Sequence, residues 1–296
     1  MKARYMQLDV FPARRGGGNP LGCVLDATGW SDADMQTFAT WTDLVETTFV
    51  LPATTAQADY RLRIFTPQRE IAFAGHPTIG SAHALLEAGL VRAHDGRLVQ
   101  ECQAGLLPIV VEHGFTDGND ADRRLLVRAP QAQLLREGAD ATLSQILEGV
   151  VLGVLPPAFI EGGRRWWVAE FASDAQLRAW RPDHAAIAAL ARDTDSLGLC
   201  AFARSEGNGY ELVVRAFPAG VGIVEDPASG AANGLIAAWI AMREPEGPLA
   251  LGYRVSQGRE IGKDAEILVR IDDSGIWVGG ATRTIVDGVV AWRNPD

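Results

Sequence analysis

His76-Pro77-Thr78-Ile79-Gly80-Ser81-Ala82 and Asp226-Pro227-Ala228-Ser229-Gly230-Ala231-Ala232 read as two versions of one phrase, 150 residues apart in a chain of 296. Each follows a strand-like stretch containing Arg-x-Phe: Arg63-Ile64-Phe65 before the first, Arg215-Ala216-Phe217 before the second. Solenoid repeats run to about 20–50 residues, so a period this long fits two similar domains instead. The pattern predicts that each domain supplies one proton-handling residue, His76 or Asp226, to an active site in the cleft between them. His76 is expected to superpose on Asp226.

Around these phrases the hydrophobic periods alternate. Met6, Leu8 and Val10 have the spacing of a half-buried strand, and Gly16-Gly17-Gly18-Asn19-Pro20 is a turn into a second strand. Ser31-x-x-Asp34 opens a helix with Met35, Phe38 and Ala39 on one face. Thr47 to Leu51 and Tyr60 to Phe65 read as strands, and Pro77 to Leu90 as a helix. In the second half, Trp166 to Phe171 and Leu212 to Phe217 are strand-like. Asp183 to Ala191 and the apolar run Pro227 to Met242 are helical. Strand, helix, strands and buried helix, twice over, indicate an α+β protein. The small polar segment Phe115-Thr116-Asp117-Gly118-Asn119-Asp120 suggests a division into residues 1–117 and 118–296, the last strand being free to return to the first half.

The formal charge of −10 repels phosphate backbones and anionic lipid, so neither nucleic acid nor membrane is expected as a partner. The N-terminus runs straight into strand-like sequence without a signal-peptide core. The apolar stretch Val150 to Ile160 is too short to span a bilayer. A cytoplasmic protein is expected. Cys23, Cys102 and Cys200 are far apart and match no zinc-ligand spacing, so three free thiols and no metal are expected. The phosphate-loop reading of Gly75 to Ser81 fails because no lysine follows the second glycine. The remaining glycine clusters lack the Rossmann spacing, so no cofactor is expected.

Proline directly after His76 and after Asp226 predicts that both residues cap helix N-termini, where free N–H groups and the positive dipole end collect. Gly80 and Gly230 are then expected in the first turn, at a cost of about 1 kcal/mol relative to alanine, because a substrate carboxylate approaches the backbone there. Gly75, Gly230 and Ala231 are the expected substrate-binding positions. Asp226 alone reads equally well as an ordinary cap. Glu46, in Leu44-Val45-Glu46-Thr47-Thr48-Phe49, reads locally as a solvated strand-edge residue. Arg63 and Arg215 read as outward-facing strand residues.

Longer strings say more. Asp9-Val10-Phe11, Gly18-Asn19-Pro20, Glu46-Thr47-Thr48-Phe49-Val50-Leu51-Pro52, Arg63-Ile64-Phe65-Thr66-Pro67, Glu70 to Ala82, Glu225 to Ala232 and Val255-Ser256-Gln257-Gly258 follow one another in order. This series resembles the phenazine-biosynthesis PhzF-like family. The resemblance implies a fold similar to diaminopimelate epimerase: two pseudo-symmetric domains, each a barrel-like, mostly antiparallel sheet around a central helix. It also implies cofactor-free proton transfer on a small carboxylated metabolite, with Glu46 as general acid/base and His76 and Asp226 as the accompanying polar pair. A homodimer is the expected assembly. Three departures bear on the substrate: Ala231 and Val45 stand where the family often has serine, and Gly262-Lys263-Asp264 replaces a more usual Gly-Arg-Pro. The expected activity is that of an isomerase. An amino-acid epimerase or racemase, which would need a thiol at each helix start, and a non-catalytic metabolite-binding dimer are the alternatives.

Overall fold

The computed structural model of the chain describes residues 2–112 and 123–292. The linker candidate 115–120, and with it the expected boundary at 117/118, lies outside the described residues. The chain forms two compact units: Met1–Arg128 with Gly279–Asp296, and Ala129–Val278. Among the described residues no helix is long and apolar enough to cross a membrane.

The first unit runs β1 (Lys2–Val10), β2 (Asn19–Val24), α1 (Asp32–Thr42), β3 (Glu46–Leu51), β4 (Tyr60–Phe65), β5 (Glu70–Ile71), α2 (Gly75–Glu87), β6 (Arg97–Cys102), β7 (Gly105–Glu112) and β8 (Arg124–Arg128). The second runs β9 (Gln133–Glu137), α3 (Ala141–Ile146), β10 (Ala158–Gly162), β11 (Arg164–Phe171), α4 (Asp174–Ala179), α5 (His184–Asp193), β12 (Leu199–Arg204), β13 (Leu212–Phe217), α6 (Gly230–Arg243), β14 (Gly252–Gln257) and β15 (Ala265–Asp272). The last strand, β16 (Gly275–Ala291), starts in the second unit and ends in the first.

In the first unit the strand order is β1-β2-β3-β4-β6-β7-β8-β16, and β16 pairs antiparallel with β1, closing an eight-stranded barrel. Two of its pairings are parallel, β2–β3 and β4–β6, because a helix (α1, α2) crosses between those strands. The second unit repeats the plan: β11–β12 and β13–β14 are its parallel pairs, bridged by α4–α5 and by α6, and β10–β11, β12–β13 and β14–β15 are antiparallel. The α+β fold with a mostly antiparallel sheet around a helix in each unit is therefore the diaminopimelate epimerase-like one.

Local chemistry explains the elements. Ser31 and Asp34 form a reciprocal capping box on α1, whose Met35, Phe38 and Ala39 pack with Trp30, Phe49 and Phe65 outside the barrel. Helix α2 is buried inside it. Pro77 is tolerated there as the third helical residue, since first-turn N–H groups have no intrahelical acceptor. Helix α6 is the apolar counterpart, with Leu235, Ile236, Trp239 and Ile240 all buried.

Gly80 is not a first-turn residue, as the sequence suggested, but the sixth of α2, and the barrel wall requires it to be glycine. A Cβ there would lie 2.5 Å from Leu21 Cδ2 and 2.9 Å from Val10 Cγ2. Arg63 and Arg215 are likewise not outward-facing surface residues. Arg215 is 3% exposed and forms a two-point ion pair with Glu225 at 2.8–2.9 Å, and Arg63 grips Glu70 in the same way at 2.6–2.8 Å. Both guanidinium groups sit 5.1 Å from the ring of the phenylalanine two residues on, Phe65 or Phe217.

Gly80→Ala separates packing from substrate access. Better helix propensity would add about 1 kcal/mol of stability, but overpacking against β-branched Val10 costs about 1–3 kcal/mol. The denaturant midpoint should therefore fall, with ligand affinity unchanged. A stabilised variant would contradict the packing assignment.

Candidate functional site

Glu46 is the first residue of β3 and lies beside Leu21 in the parallel β2–β3 register. Leu21 is also the side chain on which Gly80 rests. His76 is one turn upstream of Gly80 on the same face of α2, which brings it to the start of β2 and β3. There His76 Nε2 is 3.3 Å from Glu46 Oε2, and His76 Nδ1 is 3.4 Å from Asn19 Nδ2. Glu46 is 8% exposed and His76 6%. The local reading of Glu46 as a solvated surface residue is overturned: packing of α2 against β2, not strand position, decides its environment.

Burial pushes the His76 imidazole down to about 3. A neighbouring carboxylate works in the opposite direction, but removing the ring from water dominates at this depth, and His76 is neutral at pH 7. With Asn19 Nδ2 as donor, Nδ1 accepts and the single ring proton lies on Nε2, facing Glu46. This is a neutral donor beside a buried carboxylate, an arrangement suited to taking up and returning a proton.

The turn ahead of Asn19 is built to hold it. Asp9 accepts from the backbone N–H of Gly16 at 2.6 Å and of Gly18 at 2.8 Å. Gly18 has no room for a side chain, since a Cβ would lie 2.2 Å from the Val10 carbonyl oxygen. Within the string Gly18-Asn19-Pro20 nothing marks Asn19 for this contact. Its partner is 57 residues away, so no local spacing could have revealed it.

His76 and Asp226 do not cap helices. The residue before α2 is Ala74, which makes no side-chain cap bond, and His76 is the second residue within the helix. Helix α6 is capped by Ser229, whose side chain accepts from Ala232 N–H, so Gly230 is its first residue and Ala231 its second. Asp226 lies earlier, half-buried in a turn where its own carboxylate accepts from Ala228 N–H. Gln257, fully buried, fastens this turn. It donates to the Asp226 carbonyl at 2.8 Å and accepts from Ser229 N–H and from Asn233 Nδ2.

The two units also align differently from the repeated phrase. Ile71 pairs with Ile64 as Asp226 pairs with Ala216, each one residue after the arginine of Arg-x-Phe. Glu70 and Glu225, the arginine partners, are 155 residues apart, and so are the helix starts Gly75 and Gly230. Four residues into the helices, Thr78 accepts from Gln100 Nε2 of β6 and Asn233 donates to Gln257 of β14. In this frame the counterpart of Asp226 is Ile71, and that of His76 is Ala231. The expected superposition of His76 on Asp226 fails, because the link from Phe217 to Glu225 is three residues longer than that from Phe65 to Glu70 and includes an extra helical turn at Ala219–Val221.

Among the described residues, no cluster of three or more His, Cys, Asp or Glu side chains is arranged to hold a metal ion. Of the three thiols, Cys23 and Cys200 are buried and Cys102 is partly exposed.

A family model described as phenazine biosynthesis-like protein matches residues 8–289. The chain is similar to antisense-enhancing sequence 1 of Schizosaccharomyces pombe, 32% identical over 96% of this chain and 97% of that protein. It is equally similar to the trans-2,3-dihydro-3-hydroxyanthranilate isomerase of Pseudomonas aeruginosa, 32% identical over 92% of this chain and 91% of that one. Among solved structures, a PhzF-family phenazine biosynthesis protein of Bacillus anthracis superposes with a TM-score of 0.84 at 25% identity, covering 98% and 99% of the two chains.

The depressed imidazole makes acid destabilising. Folded His76 holds its proton more weakly than the unfolded residue, so the unfolded chain takes up more protons as pH falls from about 6.5 to about 3. This group's contribution is complete above pH 6.5 and is lost by about 1.4 kcal/mol per pH unit below it. The fall in unfolding free energy from pH 7 to pH 4.5 should be smaller in His76→Gln than in the parent. Equal slopes would mean that His76 is not held neutral.

Proposed function

The chain belongs to the phenazine biosynthesis-like family and is a PhzF-type isomerase; from that premise we propose that it moves a proton, without a cofactor, between two carbons of a small unsaturated carboxylated metabolite. The observation that carries the proposal is the buried Glu46 carboxylate 3.3 Å from neutral His76. Glu46 takes the proton: a C–H bond breaks, an O–H bond forms on the carboxylate, and the electron pair shifts the substrate double bond. The O–H bond then breaks as the proton returns to the far carbon. Burial supports this use, because a carboxylate 8% exposed keeps bulk water from exchanging the proton while it is held.

The substrate carboxylate suits backbone N–H groups. Gly75 on α2, and Gly230 and Ala231 on α6, carry first-turn N–H groups with no acceptor within their helices, at the positive dipole ends. Asp226 we assign to orienting polar groups of the substrate rather than carrying the migrating proton. The relative's named substrate is a dihydro-aromatic amino and hydroxy acid, and we propose that same broad class here. Ala231, Val45 and Lys263 set this chain's specific substrate apart.

A two-base epimerase is less well supported. It needs a proton-transferring group at each helix start, and the second residue of α6 is Ala231.

Screening dihydro-aromatic and other unsaturated amino or hydroxy acids in heavy water tests the proposal. Deuterium should enter one substrate, and Glu46→Gln should slow its entry by about 10²–10⁴-fold with little change in affinity. His76→Ala and Asp226→Asn should lose less. Exchange undiminished in Glu46→Gln removes Glu46 from its role, and no exchange with any acid of the class counts against the proposed chemistry.

A further inference from the structure

His76 Nε2 meets Glu46, and His76 Nδ1 meets a residue that the proposed reaction does not use. That residue, Asn19, is fully buried and opens β2 immediately after a turn tied down by Asp9. We propose that Asn19 is a positioning residue: its side-chain amide fixes His76 in the tautomer that carries its proton on Nε2, toward Glu46. The inference rests on the proposed use of Glu46 but makes a separate claim about the ring.

An imidazole between an acceptor and a second polar group has two neutral forms, and the bond at one nitrogen selects which is present. An amide N–H donating to Nδ1 makes that nitrogen an acceptor, so Nε2 must carry the hydrogen. Nε2–H then faces Glu46 Oε2 across 3.3 Å, a donor held ready for the carboxylate instead of a lone pair opposed to it. Were the proton on Nδ1 instead, two lone pairs would face each other across 3.3 Å, and Glu46 could stay there only by keeping a proton of its own. The tautomer therefore decides whether Glu46 starts the cycle as a base.

The surroundings hold Asn19 in place for this task. Its backbone pairs with Val10 in the β1–β2 ladder, Pro20 follows it, and Gly18 precedes it where no side chain fits. The Asp9 carboxylate spends both oxygens on the turn's N–H groups, two bonds that fix where β2 begins. A strand that merely needed a buried polar residue would not require so constrained an approach.

Nitrogen-15 spectra of the imidazole rings test the assignment without substrate. His76 is identified among the five histidines by the loss of its signals in His76→Gln. In the parent protein, Nε2 should show the protonated shift and Nδ1 the unprotonated shift from pH 5 to 8. Asn19→Asp places an acceptor at Nδ1, so the Nδ1 signal should move to the protonated position. Deuterium exchange should fall at least about tenfold, with the loss in kcat rather than KM, since a wrong tautomer disables a site whose geometry is intact. If Asn19→Asp does not fold, Asn19→Ala should show the two tautomers mixed. A parent ring protonated on Nδ1, or spectra indifferent to Asn19, would overturn the inference even if Glu46 proves catalytic. The expected spectra without exchange on any substrate would overturn the proposed reaction and leave the tautomer assignment standing.

Discussion

Ten of the thirteen residues of α2 are buried, and His76, Thr78, Ser81 and His83 are among them. A helix enclosed by its own barrel could have been wholly apolar, as α6 nearly is. Each buried polar group left unpaired would cost about 1–3 kcal/mol, so the wall must answer them. Thr48 meets the Ser81 hydroxyl at 2.8 Å, Gln100 donates to Thr78, and Asn19 meets Nδ1 of His76. These bonds fix how the helix is rotated in the barrel. Gly80 fixes how close it comes. The acidity of His76 and the burial of Glu46 follow from that one docking event.

The arginine clamps explain why each unit presents its helix in the same way. A two-point pair with glutamate sets the angle at which the chain leaves the strand, and the phenylalanine ring 5.1 Å away backs the guanidinium. The pair in the second unit is the deeper, with side chains 4% and 5% exposed against 15% and 19% in the first. Breaking a pair so thoroughly removed from water leaves an uncompensated charge, while replacing both partners by apolar groups need not be costly. Its persistence in both units argues for a geometric role: five residues after each glutamate, the helix begins.

Local signals made much of this legible. The limits Tyr60–Phe65 follow from alternating apolar residues, Leu212–Phe217 from a short apolar run, and the Ser31–Asp34 box from capping chemistry. The doubled architecture followed from repetition. What failed was registration. Pro, Gly and Ala recur at a spacing of 150, whereas the helices and clamps recur at 155, and a loop of different length intervenes. Short strings of helix-start residues resemble one another for reasons of capping, so they register domains poorly. Charged residues with fixed partners register them well, but those partnerships exist only after folding. Glu46 stood out through family resemblance alone, because its burial depends on a helix thirty residues away, and Asn19 acquires meaning only beside His76.

The corrected registration changes the chemistry that the repeat implies. Under the first reading, each unit brought an ionisable group to the same point of its helix, the layout of a two-base enzyme. Under the observed one, the first unit has an imidazole at the second helical residue and the second unit has a methyl group, Ala231. The two helix starts keep their N–H groups and dipoles, features of backbone that survive any side chain. They have diverged in what they can do with a proton. Two helix starts alike in backbone but different in what they titrate suit a reaction in which one group both removes and restores the same proton.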